Sequence, residues 1–360
     1  MATMNDTEKQ RIKRYLAMPD LSRSEGSPIK EIIDKVTELP ILKNFEQITI
    51  PEIVPAKASF DLFDFPPDHP ARSKSDTYYV DDENILRTHT TVMWYYYFNL
   101  PEIKRKVEKG EDLGVISYGK VYRKDEIDRN HMNIFHQMDG LYLCQNRKIK
   151  QNDLKEVLVE IAQAVFGKGI KYRFNPDTFP YTYDSLEMEV DKEGKWVEVL
   201  GAGIVQPTVL EKLGVDSKKY NGWAFGFGLE RLAIISMELP DIRLLWSEDP
   251  RVKKQLKLGN KYVEVSKYPP IVRDISFVVK NTFIPNDYFD LVREAGGELI
   301  EEVALVDKYE NEEKFGKDNI SYAYRITYRS LDRTLTSEEI DKLHKEMEQA
   351  TKESFGANVR

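Results

Sequence analysis

The sequence predicts an α+β protein: an antiparallel sheet flanked by helices, then a smaller domain of βαββαβ order. Three observations carry this. Short apolar runs of strand character recur without a regular βαβ alternation. No glycine-rich phosphate loop lies between a strand and a helix, which excludes a Rossmann or Walker-type nucleotide site. Beyond a polar stretch at Gln255–Lys261 the order becomes strand, helix, strand, strand, helix, strand, the split βαβ pattern.

Each element has its own local signal. Glu8–Met18 reads as a short charged helix, followed by a loose Ser/Gly segment. Ser27-Pro28 opens a helix, since serine caps and proline suits the first turn. Ile29, Ile32, Ile33, Val36 and Leu39 then recur at helical spacing. Phe45–Ile50 reads as a strand, Asp61–Ser75 as a Pro- and Asp-rich loop, and Thr77–Val80 as a short strand. Arg87–Leu100 is expected to be an aromatic-rich helix. Val115–Arg123 and Phe135–Cys144 are strands joined by a polar connection, and Asp153–Phe166 is an amphipathic helix. Ser185–Val190 and Trp196–Leu200 form a hairpin turned at Glu193-Gly194. Trp223–Gly228 is a strand running into the helix Leu229–Met237.

In the C-terminal part, Val272–Val279, Leu299–Asp307 and Tyr322–Arg329 are strands. Asn286–Ala295 and Thr336–Thr351 are helices, the second with capping chemistry at its start, and a last strand follows Gly356. The expected organisation is an N-terminal extension (1–26), a core (27–258) and a C-terminal domain (259–360).

The chain has 360 residues, of which 41% are hydrophobic and 32% charged, which suits a soluble protein of two or three domains. No apolar stretch approaches the roughly 20 residues of a membrane span. Met1–Leu16 is polar and makes a poor leader, so a cytoplasmic location is expected. A single cysteine, Cys144, excludes an internal disulfide and reads as a buried strand residue. The net charge of −8 excludes an indiscriminate nucleic-acid binder but leaves room for a local RNA-binding patch.

Two arginines stand where strands end. Arg123 closes one strand and is followed by Lys124 and Asp125; Arg231 opens a helix after Gly226-Phe227-Gly228. A planar, permanently charged guanidinium matches phosphate oxygens. Glycines let a ligand approach backbone, though a lone Gly-x-Gly also describes close strand–helix packing.

The constellation is more specific. Val121–Asp128, followed by Ile134-Phe135-His136-Gln137-Met138-Asp139-Gly140, resembles motif 2 of the phenylalanyl-tRNA synthetases. Gly222–Ala233 resembles their motif 3 and continues into Pro240–Pro250. Asp68–Arg72, Leu86–Thr90 and Glu198–Gly203 agree in order, and Pro28–Pro51 corresponds to motif 1. Lys267–Phe277 and Tyr328–Thr336 resemble the two ends of the family's ferredoxin-fold anticodon-binding domain. The resemblance spans roughly residues 27 to 360. It implies a class II aminoacyl-tRNA synthetase core that joins phenylalanine to ATP, with magnesium, and passes the acyl group to tRNA(Phe).

Roles carry over by residue. Arg123 would meet the α-phosphate and the substrate carboxylate, and Arg231 the γ-phosphate. Phe135 would stack on adenine, with Arg231 over the other face of the base. Asp125, His131, Glu198 and Gly228 complete the ATP side, with Glu198 also the candidate for magnesium. His131 reads equally as a solvated loop histidine, and Glu198 as a surface carboxylate. His89, Thr90 and Thr91 would line the amino-acid end, and Gln137 and Asp139 would hold the substrate's amino group. Phe179 and Tyr181 would meet the substrate ring, and Ala224, Phe225 and Gly226 would form the pocket's far wall. Phe179, Tyr181, Ala224 and Gly226 also read as plain core.

Departures from the family narrow the reading. Asp139 and Asp125 stand where glutamate is common, Thr91 where serine is, and Gln206 where many bacterial members have histidine. Tyr181 replaces a usual phenylalanine. Tyr183 stands where two-subunit members carry a metal-binding glutamate, and the anticodon domain is fused to the core. Both point to the self-contained, mitochondrial-like form, a monomer by resemblance, with a homodimer the alternative that motif 1 suggests. No segment is assigned to editing. In the C-terminal domain Tyr322, Tyr324, Tyr328, Arg325, Arg329 and Arg333 are suited to anticodon contact, although strand alternation requires some to be core. From Lys261 onward there are 15 basic and 20 acidic residues, so composition alone gives RNA no pull. Two other readings stand beside this one: an idle tRNA-binding paralogue, and a synthetase for another amino acid.

Overall fold

The computed structural model describes residues 6–265 and 268–360. Residues 1–5 of the polar N-terminal stretch, and Lys267 of the Lys267–Phe277 run, lie outside the described residues. The chain divides into two compact units. The first comprises residues 1–123, 134–239 and 256–262, and the second 124–133, 240–255 and 263–360.

In the first unit the longer helices are α1 (Asp6–Ala17), α2 (Pro28–Thr37), α3 (Met93–Asn99), α4 (Pro101–Lys109), α5 (Gln151–Phe166), α6 (Pro207–Lys212) and α7 (Leu229–Met237), with a single further turn at Ala56–Ser59. The strands are β1 (Glu46–Gln47), β2 (Ile53–Pro55), β3 (Asn84–Leu86), β4 (Leu113–Tyr122), β5 (Ile134–Cys144), β6 (Tyr172–Pro176), β7 (Thr182–Lys192), β8 (Lys195–Val205) and β9 (Asn221–Gly228). Among the described residues they build a seven-stranded sheet of order β1-β4-β5-β9-β8-β7-β6, and β2 pairs with β3 separately. All pairs in the large sheet are antiparallel except β1 with β4.

The predicted caps form. Ser27 Oγ accepts from Ile29 N at 3.2 Å, and Pro28 occupies the first turn of α2. Ile29, Ile32, Ile33 and Val36 are buried, the face their spacing marked. Glu193 and Gly194 both adopt positive φ, 51° and 86°, the twist that a two-residue hairpin turn needs. Cys144 is buried on β5.

Other expectations are corrected. Thr77–Val80 is not a strand; it contributes one bridge, Tyr79 to Ile85. Arg87–His89 is not helical: Arg87 N donates to Glu52 O at 2.9 Å, and Tyr122 N to Arg87 O at 2.9 Å. Helical structure begins only at Thr90, as a 3-10 turn before α3. The Phe45–Ile50 strand shrinks to β1, paired parallel with Val115 and Ile116. The expected N-terminal helix forms as α1 and packs on the first unit, with Ile12 and Tyr15 buried against Tyr78, Leu86, Tyr122 and Ile134.

The second unit contains β10 (Ile271–Lys280), α8 (Pro285–Gly296), β11 (Ile300–Glu310), β12 (Asn319–Tyr328), α9 (Ser337–Phe355) and β13 (Asn358–Val359). The strand order is β11-β12-β10-β13, all antiparallel. This is the predicted ferredoxin-like arrangement. Thr336 Oγ1 accepts from Glu339 N at 3.2 Å, capping α9. Tyr322, Tyr324 and Tyr328 are buried, whereas Arg325 lies exposed and paired with Asp274 at 2.8 Å. Alternation thus sends the tyrosines to the core and Arg325 to the outer face. Ile127 joins this core, and the buried Glu301 pairs with both Arg129 and Arg329.

Candidate active site

Register determines which residues meet. Along β5, Asp139 lies opposite Ser117 of β4 and Gly226 of β9, and Gln137 lies opposite Gly119 and Gly228. Gly226 in turn faces Gly201 of β8, and Ala224 faces Gly203. Because side chains alternate, Phe135, Gln137, Asp139, Ala224, Gly226 and Gly228 share one face of the sheet. Glu198 reaches the same face because a bulge at Val199 resets the alternation of β8.

At the floor of this face Asp139 is buried. It accepts hydrogen bonds from Thr90 Oγ1 and, at 2.6 Å, from Thr91 Oγ1. Burial pushes its carboxyl up to about 6, against the opposing pull of the two hydroxyls and the Arg123 charge. Gly226 makes room for it: a Cβ there would stand 2.7 Å from Asp139 Oδ1. Beside it, Gln137 Oε1 is buried with no hydrogen-bond partner. His89 sits at the same end. Its Nε2 lies 3.1 Å from Ser59 O and its Nδ1 is buried without a partner. Burial, then the Arg123 charge, lowers its pKa to about 4, so the imidazole is neutral, donates through Nε2 and offers Nδ1 as an acceptor. A buried carboxylate with two further bare acceptors is a cradle for a cationic ammonium group.

An aromatic box adjoins the cradle. Tyr181 meets Phe63 at 5.5 Å and Trp94 at 6.1 Å edge-on, and stacks with Phe179 at 6.0 Å and Phe65 at 6.3 Å. Burial, followed by the Asp139 charge, keeps the Tyr181 hydroxyl protonated far above neutrality. Gly201 admits Phe179, since a Cβ there would lie 3.0 Å from the ring. Ala224 is buried in the cluster against which Tyr181 packs. Phe225 stands apart from its two neighbours. Its ring lies on the opposite face of β9, over Gly140 and stacked between Trp223 and Phe227.

The other end of the face is cationic. Arg123 Nε donates to Thr88 O at 2.9 Å, and its guanidinium lies 5.1 Å from the centre of the Phe135 ring. Arg231 projects from the first turn of α7, directly after Gly228. It is 50% exposed and stands 3.5 Å from Glu198, itself 51% exposed. Asp125 and His131 belong to the second unit. Asp125 accepts from Glu126 N at 2.8 Å, and Arg293 donates to the Asp125 carbonyl at 2.8 Å. His131 Nδ1 lies 2.8 Å from Asp128.

Several residues around this site escaped the sequence reading. Phe63 and Phe65 lie in what reads as a polar loop, and the only signal was the aromatic density of Phe60-Asp61-Leu62-Phe63-Asp64-Phe65. Trp94 and Ser59 add buried unpaired polar atoms, Nε1 and Oγ. His136 and Glu230, neighbours of named residues, form a buried pair on the sheet's other face.

Comparison with known proteins identifies the family. The family model described as tRNA synthetases class II core domain (F) matches residues 14–256, and the ferredoxin-fold anticodon binding domain model matches residues 266–360. The chain is 32% identical over 391 residues to the phenylalanine–tRNA ligase, mitochondrial, of Mus musculus, covering 98% of this chain and 80% of that one. It is 36% identical over 331 residues to the chloroplastic/mitochondrial enzyme of Arabidopsis thaliana, covering 88% and 73%. It is 34% identical over 268 residues to the phenylalanine–tRNA ligase alpha subunit of Persephonella marina, covering 71% and 75%. The organellar names of the first two overturn the cytoplasmic expectation. That expectation rested on the polar composition of Met1–Leu16 and the lack of a long apolar stretch, neither of which specifies a compartment.

Proposed function

Because the chain belongs to the phenylalanine–tRNA ligases, we propose that its sheet face activates phenylalanine with ATP and passes the acyl group to tRNA(Phe). The observation that carries the reading is the ammonium cradle of Asp139, Gln137 and His89 beside the aromatic box of Phe63, Phe65, Trp94, Phe179 and Tyr181. The cradle takes the α-amino group and the box takes the phenyl ring, which leaves the carboxylate directed toward Arg123.

In the first step a carboxylate oxygen attacks the α-phosphorus of ATP, a P–O bond forms, and pyrophosphate leaves. Arg123 stabilises charge on the α-phosphate. Phe135 offers a face for adenine, and Arg231, freed from its 3.5 Å contact with Glu198, meets the terminal phosphate. Among the described residues no cluster of three or more carboxylate, histidine or cysteine groups could hold a metal ion. One carboxylate, Glu198, fits a magnesium ion that arrives bound to the nucleotide, since magnesium commonly takes one or two protein carboxylates plus phosphate oxygens. Such an ion would neutralise charge on the phosphates. In the second step the 2′-hydroxyl of the terminal ribose attacks the acyl carbonyl and AMP leaves. The second unit, with Arg325 on its outer sheet face, is the candidate reader of the anticodon loop.

Amino-acid-dependent exchange of pyrophosphate into ATP tests this reading. Phenylalanine should support the fastest exchange, and Arg231→Ala should abolish it in a folded protein. No exchange with any amino acid would identify an idle paralogue. Faster exchange with another amino acid would move the assignment to that substrate.

A further inference from the structure

Strand β5 has a second face. Its back carries His136, fully buried between Phe135 and Gln137 in sequence. Glu230, the residue before Arg231, grips it twice: His136 N donates to Glu230 Oε2 at 2.8 Å, and Nδ1 lies 2.6 Å from Oε1. On the other side of the ring, Nε2 stands 3.3 Å from Asp20 Oδ1 in the segment that follows α1. We propose that Asp20, His136 and Glu230 form a positioning device that fixes Arg231 relative to Phe135 and Gln137, and so makes the N-terminal segment part of the nucleotide site. The inference rests on the reading that Arg231 and Phe135 hold ATP.

The geometry explains why a device is needed. Arg231 has no rigid seat of its own; its side chain is half exposed, and the contact with Glu198 is long. Its placement therefore follows the backbone of the first turn of α7. Gly228 provides no side-chain cap there. Glu230 supplies the missing anchor, tying that turn to a backbone N–H and a ring nitrogen of β5. A bidentate grip between buried partners fixes both distance and angle. The pair is costly to half-remove, because Glu230 alone is a buried charge without a counterion.

Asp20 completes the charge balance. Burial disfavours the imidazolium, but the Glu230 charge and the bond to Asp20 outweigh it and raise His136 to about 9. Nδ1 faces Glu230, and a proton taken up on Nε2 would face Asp20. When the ring is neutral, Nε2 instead accepts from the Leu21 N–H, 3.0 Å away. Asp20 is itself held in place. Ser22 N donates to Oδ1 at 3.0 Å, and Lys120 Nζ donates to Leu16 O at 2.9 Å and Met18 O at 2.8 Å just upstream.

The test separates positioning from mere packing. Asp20→Asn, His136→Gln and Glu230→Gln would be assayed by pyrophosphate exchange, with the Michaelis constants for ATP and phenylalanine measured separately, alongside thermal melting. Glu230→Gln should raise the ATP constant by about tenfold or more, the scale expected of a sub-ångström displacement at a reacting group, with the phenylalanine constant little changed. If Glu230→Gln fails to fold, Asp20→Asn, at the outer end of the chain, decides the matter. It should raise the ATP constant several-fold and bring the alkaline rise of that constant to lower pH. Variants that melt earlier but keep both constants, with no change in pH profile, would overturn the proposal. Absence of exchange in the unmodified protein would instead sink the underlying reading of the site.

Discussion

Gly226→Ala puts the ammonium cradle to a direct test. Gly226 lies opposite Asp139 across the β5–β9 pair. A methyl carbon at Gly226 would stand 2.7 Å from Oδ1 and 3.1 Å from Cγ of Asp139, where ordinary contact begins at 3.4 Å. The carboxylate must therefore give by about 0.7 Å, well inside the repulsive wall. It has little freedom to do so, because Oδ1 is bound to Thr91 at 2.6 Å and Oδ2 to Thr90. Relief comes from breaking one of these bonds or from shifting a strand. A hydrogen bond to a charged group is worth ~1.5–3 kcal/mol, and overpacking a core costs ~1–3 kcal/mol.

Each ~1.4 kcal/mol withheld from the bound ammonium weakens binding about tenfold. Gly226→Ala should thus raise the Michaelis constant for phenylalanine by at least about tenfold in pyrophosphate exchange, and leave that for ATP close to the unmodified value. Gly169→Ala is the control, since nothing lies within 4 Å of a Cβ at that position. A folded Gly226→Ala variant with an unmodified phenylalanine constant would show that Asp139 does not hold the amino group. An equal rise in both constants would mean that the methyl acts by deforming the whole sheet.

Three further outcomes follow from the same geometry. Asp139 must be ionised to hold an ammonium group, and burial raises it to about 6, so phenylalanine affinity should be flat above that pH and fall about tenfold per unit below it; calorimetric titration of phenylalanine from pH 5 to 8 measures this. His136 has its folded pKa raised to about 9 from an ordinary 6.5, so its contribution to stability is complete below 6.5 and lost as pH rises through 9; denaturant midpoints across that window should decline, and His136→Gln should flatten the decline. The box around Tyr181 is built of ring faces and edges, and a pocket of that kind rejects an added hydroxyl by only about a hundredfold, so tyrosine should be activated at roughly that disadvantage in exchange assays, and discrimination far beyond it would contradict this account of the pocket.

What the sequence could reveal depended on how local the determinant was. The run Leu229–Met237 is a helix with the bounds its pattern implied, because a strand ending in glycine and an apolar helical stripe are written in adjacent residues. Thr336 caps α9 for the same reason. The alternation argument correctly split Tyr322, Tyr324 and Tyr328 from Arg325. Arg87–His89 went wrong because the helical pattern of the following residues, which do form α3, was extended back over a stretch that long-range hydrogen bonds to Glu52 and Tyr122 hold extended. Phe63 and Phe65 were hidden because a loop's buried side has no period. The tie from His136 to Asp20 joins residues 115 and more positions apart, and no local pattern encodes such a partner.

The two faces of β5 divide the residues of one short run between two tasks. Phe135, Gln137 and Asp139 point to the face proposed to hold the substrates, while His136, Met138 and Gly140 point back into the body of the unit. A slip of one residue would exchange the two sets, so the register must be held more tightly than a polar open face can hold it. The back face supplies that hold. His136 is clamped by Glu230, and Gly140 lies so close beneath Phe225 that a Cβ there would come within 2.4 Å of the ring. Phe225 therefore serves the pocket without touching it. It locks β9 against β5 from behind, so that Ala224 and Gly226 meet Leu141 and Asp139 in front. The residues proposed to contact substrate and those that keep the strands in register alternate along the same strands, and a substitution on either face should be felt at the other.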